Sequence, residues 1–135
     1  MIGGYIVKEM VAFEDVSMIL LAGANELSSF SRSSEMLPDD LTSIKPEVLF
    51  EAGNMLVDAA GFCGWNPSVS LLTAGSDVVT EPLTPIWATS AAAGMAGRFL
   101  GQLEAALPGL WPETYRGLTV QSAEWPVPIR KLLVG

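Results

Sequence analysis

Hydrophobic positions follow two different patterns along this chain. In its first two-thirds they come as short runs. Val16 to Leu21 is an apolar run of strand length, closed by the turn-prone Gly23-Ala24-Asn25. Val48-Leu49-Phe50 follows Pro46 and stops at Gly53, and Val69 to Thr73 lies between Pro67 and Gly75. Short apolar runs without alternation suit strands covered on both faces, as in parallel α/β sheets. Beyond Trp87 the period changes. Met95, Phe99, Leu103 and Ala106 share one helical stripe, which Ala92, Ala96 and Leu100 widen. With Gly94, Gly97 and Gly101 allowing close backbone approach, this helix is expected to be buried nearly all round. From Ser90 to Leu107 it would run about 27 Å, and Pro108-Gly109 ends it. Pro112 and Glu113 open a second helix through about Val120. Pro126 and Pro128 then break the chain before a short basic, apolar tail, Ile129 to Val134. The intervening loop from Asn54 to Pro85 shows the least regular pattern.

Composition narrows the function classes. One domain over residues 1–135 is expected at this length, and half of the residues are hydrophobic, enough for one core. Seven basic against 15 acidic residues give a formal charge of −8. That argues against nucleic acid, whose phosphates demand Lys and Arg, and against anionic membrane surfaces. Cys63 is the single cysteine, so no intramolecular disulfide can form. With no histidine, zinc and iron sites are implausible and no cofactor is expected. Calcium stays open, although no Asp-rich loop of the required spacing occurs. Val16 to Ala24 mimics a secretory signal, but Glu9, Glu14 and Asp15 precede it against Lys8 alone. Gly97 and Gly101 have membrane-dimer spacing, but Arg98, Gln102 and Glu104 interrupt the stretch. A soluble, cytoplasmic chain is expected.

The candidate chemistry lies at Thr89-Ser90, a hydroxyl pair opening a run of small residues. A serine at a helix N-terminus sits where unpaired N–H groups and the helix dipole favour negative charge. As a nucleophile it needs a neighbouring base, commonly a histidine oriented by a carboxylate. Thr89 or Ser90 could instead be a plain N-cap, the commoner role for such a residue. Lys45 and Lys131 are the conceivable lysine bases. Trp87, just upstream, could line a substrate cleft, though packing is the more frequent fate of a lone tryptophan.

The stretch Thr89-Ser90-Ala91-Ala92-Ala93-Gly94-Met95-Ala96-Gly97-Arg98-Phe99 resembles the nucleophile segment of subtilisin-like serine peptidases, the subtilases. That segment runs Gly-Thr-Ser-x-Ala-(Ala/Thr) into a helix of small residues. Pro108-Gly109-Leu110-Trp111-Pro112-Glu113-Thr114-Tyr115-Arg116-Gly117-Leu118 is similar to the family's next helix and its entry. Upstream, Ser28-Ser29-Phe30-Ser31-Arg32-Ser33-Ser34 resembles the (Ala/Ser)-x-(Phe/Tyr)-Ser-x-(Ser/Thr) stretch. Ile44-Lys45-Pro46-Glu47-Val48 resembles a Leu-Lys-Pro-(Asp/Glu)-(Val/Ile) strand entry. The four segments stand in family order, and the resemblance covers roughly Val16 to Trp125. Two departures stand out: Ala88 replaces the glycine before Thr-Ser, and Gly94 stands near where a proline often follows.

The resemblance implies Ser90 as nucleophile, with peptide or protein as substrate. It also implies the C-terminal portion of a three-layer α/β fold, with a mostly parallel sheet near Val16, Val48 and Val69. A buried helix starting at the Ser90 segment would pack on that sheet. In the family the catalytic Asp and His, and the oxyanion Asn, come from segments upstream of those matched here. Asn54, in Ala52-Gly53-Asn54, follows the Lys45-Pro46 landmark and is expected to be a strand-end loop residue, not that oxyanion group. A truncated domain would leave a sheet edge or apolar face uncovered, which implies self-association or a partner chain. Two functions follow: a serine endopeptidase part completed from elsewhere, or an inactive subtilase-like domain serving as an interaction or structural module.

Overall fold

The computed structural model describes residues 2–5, 17–32 and 46–134. Among the described residues seven strands come first: β1 Ile2–Tyr5, β2 Ile19–Leu20, β3 Val48–Glu51, β4 Leu56–Val57, β5 Cys63–Gly64, β6 Leu71–Asp77 and β7 Glu81–Ile86. Three helices follow: α1 Ala88–Ala106, α2 Pro112–Ser122 and α3 Val127–Val134.

The strands do not form the mostly parallel sheet expected from the apolar runs. Only β1 and β3 pair in parallel among the described residues, Ile2 opposite Val48 through Tyr5 opposite Glu51. β2, β4 and β5 make an antiparallel sheet, and β6 and β7 an antiparallel hairpin. For β4–β5 and β6–β7, connection length is the physical reason. A parallel crossover needs a dozen or more residues. β4 ends at Val57 with β5 starting at Cys63, and β6 ends at Asp77 with β7 starting at Glu81. Such short links can only reverse the chain.

The run from Val69 to Thr73 misleads for a second reason. Val69 closes a 3₁₀ turn over Pro67–Val69, and β6 begins only at Leu71. Burial alternates along β6, but the outward position at Leu72, 69% exposed, carries an apolar residue. The two-residue period is therefore hidden in the sequence. Of the Val16 run, Ile19–Leu20 is the strand, and Val16 itself lies outside the described residues.

α1 and α2 stand where the sequence places them, whereas Val127–Val134, expected as a broken chain and a tail, is a third helix. α1 packs against β1 and β3, with Phe99 meeting Phe50 at a ring separation of 6.0 Å. Its buried residues are Ala91, Ala92 and Ala96, whose small side chains let the helix lie close to the strands. It is not buried all round, however. Met95 and Leu100 are exposed, and a Cβ at Gly94, Gly97 or Gly101 would meet nothing within 4 Å. Pro112 starts α2 as expected, since the missing proline N–H falls where the helix has no acceptor for it. α3 begins at Val127 and admits Pro128 in its first turn for the same reason, and Ile129 is fully buried.

Asp77 closes the β6–β7 hairpin. Its carboxylate accepts hydrogen bonds from the Val79 and Thr80 amides at 2.9 and 3.2 Å and from the Thr80 hydroxyl at 2.6 Å. The hydroxyl bond first, then the two amide bonds, hold its pKa below the ordinary aspartate value. A depressed carboxylate stabilises the fold above its unfolded pKa and loses that contribution as pH falls through the lower folded value. Asp77→Ala should therefore lower the unfolding midpoint at neutral pH. The gap from the parent chain should close on acidification below the ordinary aspartate range, as thermal melts across pH would show.

Candidate active site

Ser90 lies in the first turn of α1 and is exposed. It is not the helix cap. Trp87 occupies that position, and no side chain makes a capping hydrogen bond. The cap role that competes with nucleophile for a hydroxyl here is thus unused by Thr89 and Ser90. The Ser90 N–H belongs to the opening group of helix amides with no intrahelical acceptor.

Ala88 makes the turn that presents this serine. Its φ of 71° lies in the left-handed region, and its N–H donates to the Ala52 carbonyl at 2.9 Å. Glycine adopts that conformation without strain, whereas an L-residue with a Cβ pays a steric cost. The substitution noted in the sequence, alanine where the resembling motif has glycine, falls on the one residue of this turn whose conformation favours glycine.

The Ala88 amide ties the start of α1 to a buried corner after β3, formed by Ala52, Gly53 and Asn54. Gly53 has φ 76°, and a Cβ there would press on the Val69 carbonyl oxygen. Asn54 is a strand-end residue, as its sequence position suggests, but a fully engaged one. Its amide nitrogen donates to the Ala22 carbonyl at 2.7 Å, and its side-chain oxygen accepts from the Met55 N–H at 2.8 Å. Its own N–H donates to Val69 at 2.9 Å. Both ends of the side-chain amide are used in holding loops together.

The serine-rich stretch after β2 joins the same corner. The Ser28 hydroxyl donates to the Gly53 carbonyl at 3.1 Å, and the Ser28 N–H donates to Gly4 at 3.1 Å. Ser31 accepts from the Gly4 N–H at 3.2 Å. On the other side of β3, Arg116 of α2 makes a two-pronged pair with Glu47, its Nε donating at 3.2 Å and its Nη2 closer still. That hydrogen bond first, and the negative charge second, raise the Arg116 pKa. Arg116 is exposed and Glu47 half-buried, so solvent screens the pair and its main effect is to orient α2. The corner thus brings the Ser28 and Ser90 segments together, and the ion pair joins the Pro46 and Pro112 segments.

Two cavities open beside α2. One of about 570 Å³ is lined by Val48, Phe50, Ala96, Leu100 and Tyr115 among others, and one of about 410 Å³ by Phe50, Phe99 and Trp125. Ser90 lines neither. They lie between β3 and the facing residues of α1 and α2. Of the two lysines weighed as bases, Lys131 stands exposed in the last turn of α3, and Lys45 lies outside the described residues. Sequence reasoning missed the Trp65–Trp87 ring pair, because Trp65 is far away along the chain and only the fold joins them.

The model of the Subtilase family (Peptidase_S8) matches residues 5–133. The chain belongs to the subtilase family. No curated protein and no solved structure matches it. Among the described residues of this subtilase, no helix is long and apolar enough to cross a membrane.

Two substitutions test this geometry. Ala88→Gly relieves a left-handed strain of about 1–2 kcal/mol against about 0.4–1 kcal/mol of added unfolded-chain entropy. A net stabilisation of about 0.5–1 kcal/mol is expected in denaturant unfolding. Asn54→Ala leaves the Ala22 carbonyl unpaired and should cost about 1–3 kcal/mol by the same measurement. A change near zero would show that the corner is not structural.

Proposed function

We propose that this chain is the nucleophile-bearing, C-terminal part of a subtilisin-like serine endopeptidase domain. Ser90 Oγ would attack the peptide carbonyl to give an acyl-enzyme, its proton passing to a base and then to the leaving amine. The observation that carries this is the presentation of Ser90: exposed, in the first turn of α1, free of the capping role, and reached through a left-handed residue. Family membership over residues 5–133 supports it.

The base must come from outside these residues if it is an imidazole, because the sequence has no histidine. The orienting carboxylate and the oxyanion donor would be supplied in the same way, since Asn54 is committed to the Ala22 carbonyl. The absence of histidine also favours a second function, an inactive subtilase-like domain serving as an interaction or structural module. Apolar side chains left in solvent on the β6–β7 hairpin, Leu72, Val78, Val79 and Leu83, support a partner chain or a second copy.

Members of a catalytic triad act as a unit, and loss of the base costs about a millionfold in kcat. The isolated 135-residue chain should therefore show no peptidase activity, and Ser90 should not react with a fluorophosphonate probe. Joined to an upstream segment carrying the family's Asp and His, it should gain both, and Ser90→Ala should abolish them. Failure of that fusion to label, although folded, would leave the inactive module. Light scattering at several concentrations tests association, and a mass that stays monomeric throughout would count against a second copy as partner.

A further inference from the structure

We infer that the open edge of β3 is a strand-addition site for an extended apolar peptide segment with lysine or arginine at its ends. The backbone register exposes this edge. Gly4 of β1 turns its main-chain groups away from β3: its N–H donates to Ser31 Oγ at 3.2 Å, and its carbonyl accepts from the Ser28 N–H at 3.1 Å. Gly3 and Tyr5, the alternate residues, therefore face β3. In a parallel ladder each bonds the residues on either side of its partner. With Gly3 opposite Leu49 and Tyr5 opposite Glu51, Val48 and Phe50 are turned towards β1. Leu49 presents its N–H and C=O to the other edge, where β3 has no strand neighbour among the described residues.

A groove runs along that edge. Val48, Leu49 and Phe50 all line the cavity of about 410 Å³, although successive strand side chains point to opposite faces. A space that touches three residues in a row lies beside the strand, not over one face. It adjoins the cavity of about 570 Å³ through the shared Val48, Phe50 and Val120, and that second space reaches Gly97 and Gly101 of α1. An added strand would bond to Leu49 and set alternate side chains into these spaces, as peptides do at other sheet edges. A helix, whose main-chain groups are paired internally, would leave the Leu49 groups without a partner.

Charge selects the occupant. The charged residues lining the two cavities are Glu47, Glu104, Arg116 and Glu124. Arg116 is held by Glu47, which leaves the carboxylates of Glu104 beside the larger cavity and Glu124 beside the smaller. A segment with acidic ends would be repelled there, and one with basic ends attracted. The charge of −8 on the whole chain counts against a second copy as the occupant. Ser90 lines neither cavity, so the site stands apart from the peptidase assignment.

The test uses the 135-residue chain with Ac-Lys-Leu-Thr-Leu-Thr-Leu-Lys-NH2 and its Glu-ended counterpart, read by the Leu49 amide and Trp125 indole resonances. The Lys-ended peptide should shift both signals and bind about fivefold more tightly, the scale of two exposed ion pairs. Glu104→Gln combined with Glu124→Gln should erase that difference. Of two N-methylated versions, one methylated on the leucines and one on the threonines, one should lose binding and the other keep it, because a strand turns alternate N–H groups to one edge. A Cβ at Gly94 or Gly97 meets nothing within 4 Å, but of these two only Gly97 lines a cavity. Gly97→Leu should weaken binding about tenfold, whereas Gly94→Leu, equally favourable to the helix, should leave it unchanged. No shift up to about 1 mM peptide, equal losses in the two glycine variants, equal effects of the two methylations, or equal or tighter binding of the Glu-ended peptide would overturn the site. So would a dimer that Gly97→Leu dissociates and Gly94→Leu does not, since a second copy would then fill the groove.

Discussion

The corner Ala52-Gly53-Asn54 is the constraint on which the described structure depends. Ala52 accepts from the start of α1, Gly53 from Ser28, and Asn54 bridges Ala22, Met55 and Val69. All three residues are buried, so each of these groups would lack a water partner if its bond were lost. Only glycine fits the middle position, because the left-handed turn brings it against the Val69 carbonyl. Segments far apart in sequence thus converge on one point through hydrogen bonds rather than through bulky side chains.

Small residues in the core make that arrangement necessary. Ala52, Ala91, Ala92 and Ala96 allow α1 to lie close to β1 and β3, but each removes less apolar area from water than a leucine would. The buried amide bonds decide which way the elements face. The same economy of side-chain volume leaves Gly97 and Gly101 lining a cavity and many large apolar residues in solvent. A surface of that kind is consistent with a chain whose function needs further protein around it.

Presentation of Ser90 is the chemical outcome of this architecture. The corner anchors Ala88, Ala88 turns left-handed, and the serine emerges in the opening turn of α1 with no capping duty. A hydroxyl so placed has a favourable local field for developing negative charge but no base of the usual kind in its own sequence. Belonging to the subtilase family and lacking histidine are both properties of the same 135 residues. Under the proposed function, the catalytic work would be divided between this chain and the segment that supplies the base.

The helices and the Ser90 segment were legible in the sequence because their signals are local. A 3.6-residue stripe, Pro108-Gly109 after it and Pro112 at the next start mark α1 and α2 to within about two residues. The β3 strand is equally plain between Pro46 and Gly53. Strand direction was not legible from apolar runs. An exposed Leu72 hides alternation, and pairing direction depends on which strands meet and how short their links are. Likewise the position of Asn54 was readable, but its three-way anchoring role was not, since Ala22 and Val69 are remote along the chain. Local backbone preference wrote the elements and the exposed serine into the sequence. Which faces stayed in solvent, and which loops closed on Asn54 and Trp87, depended on contacts between distant residues that only the folded chain makes.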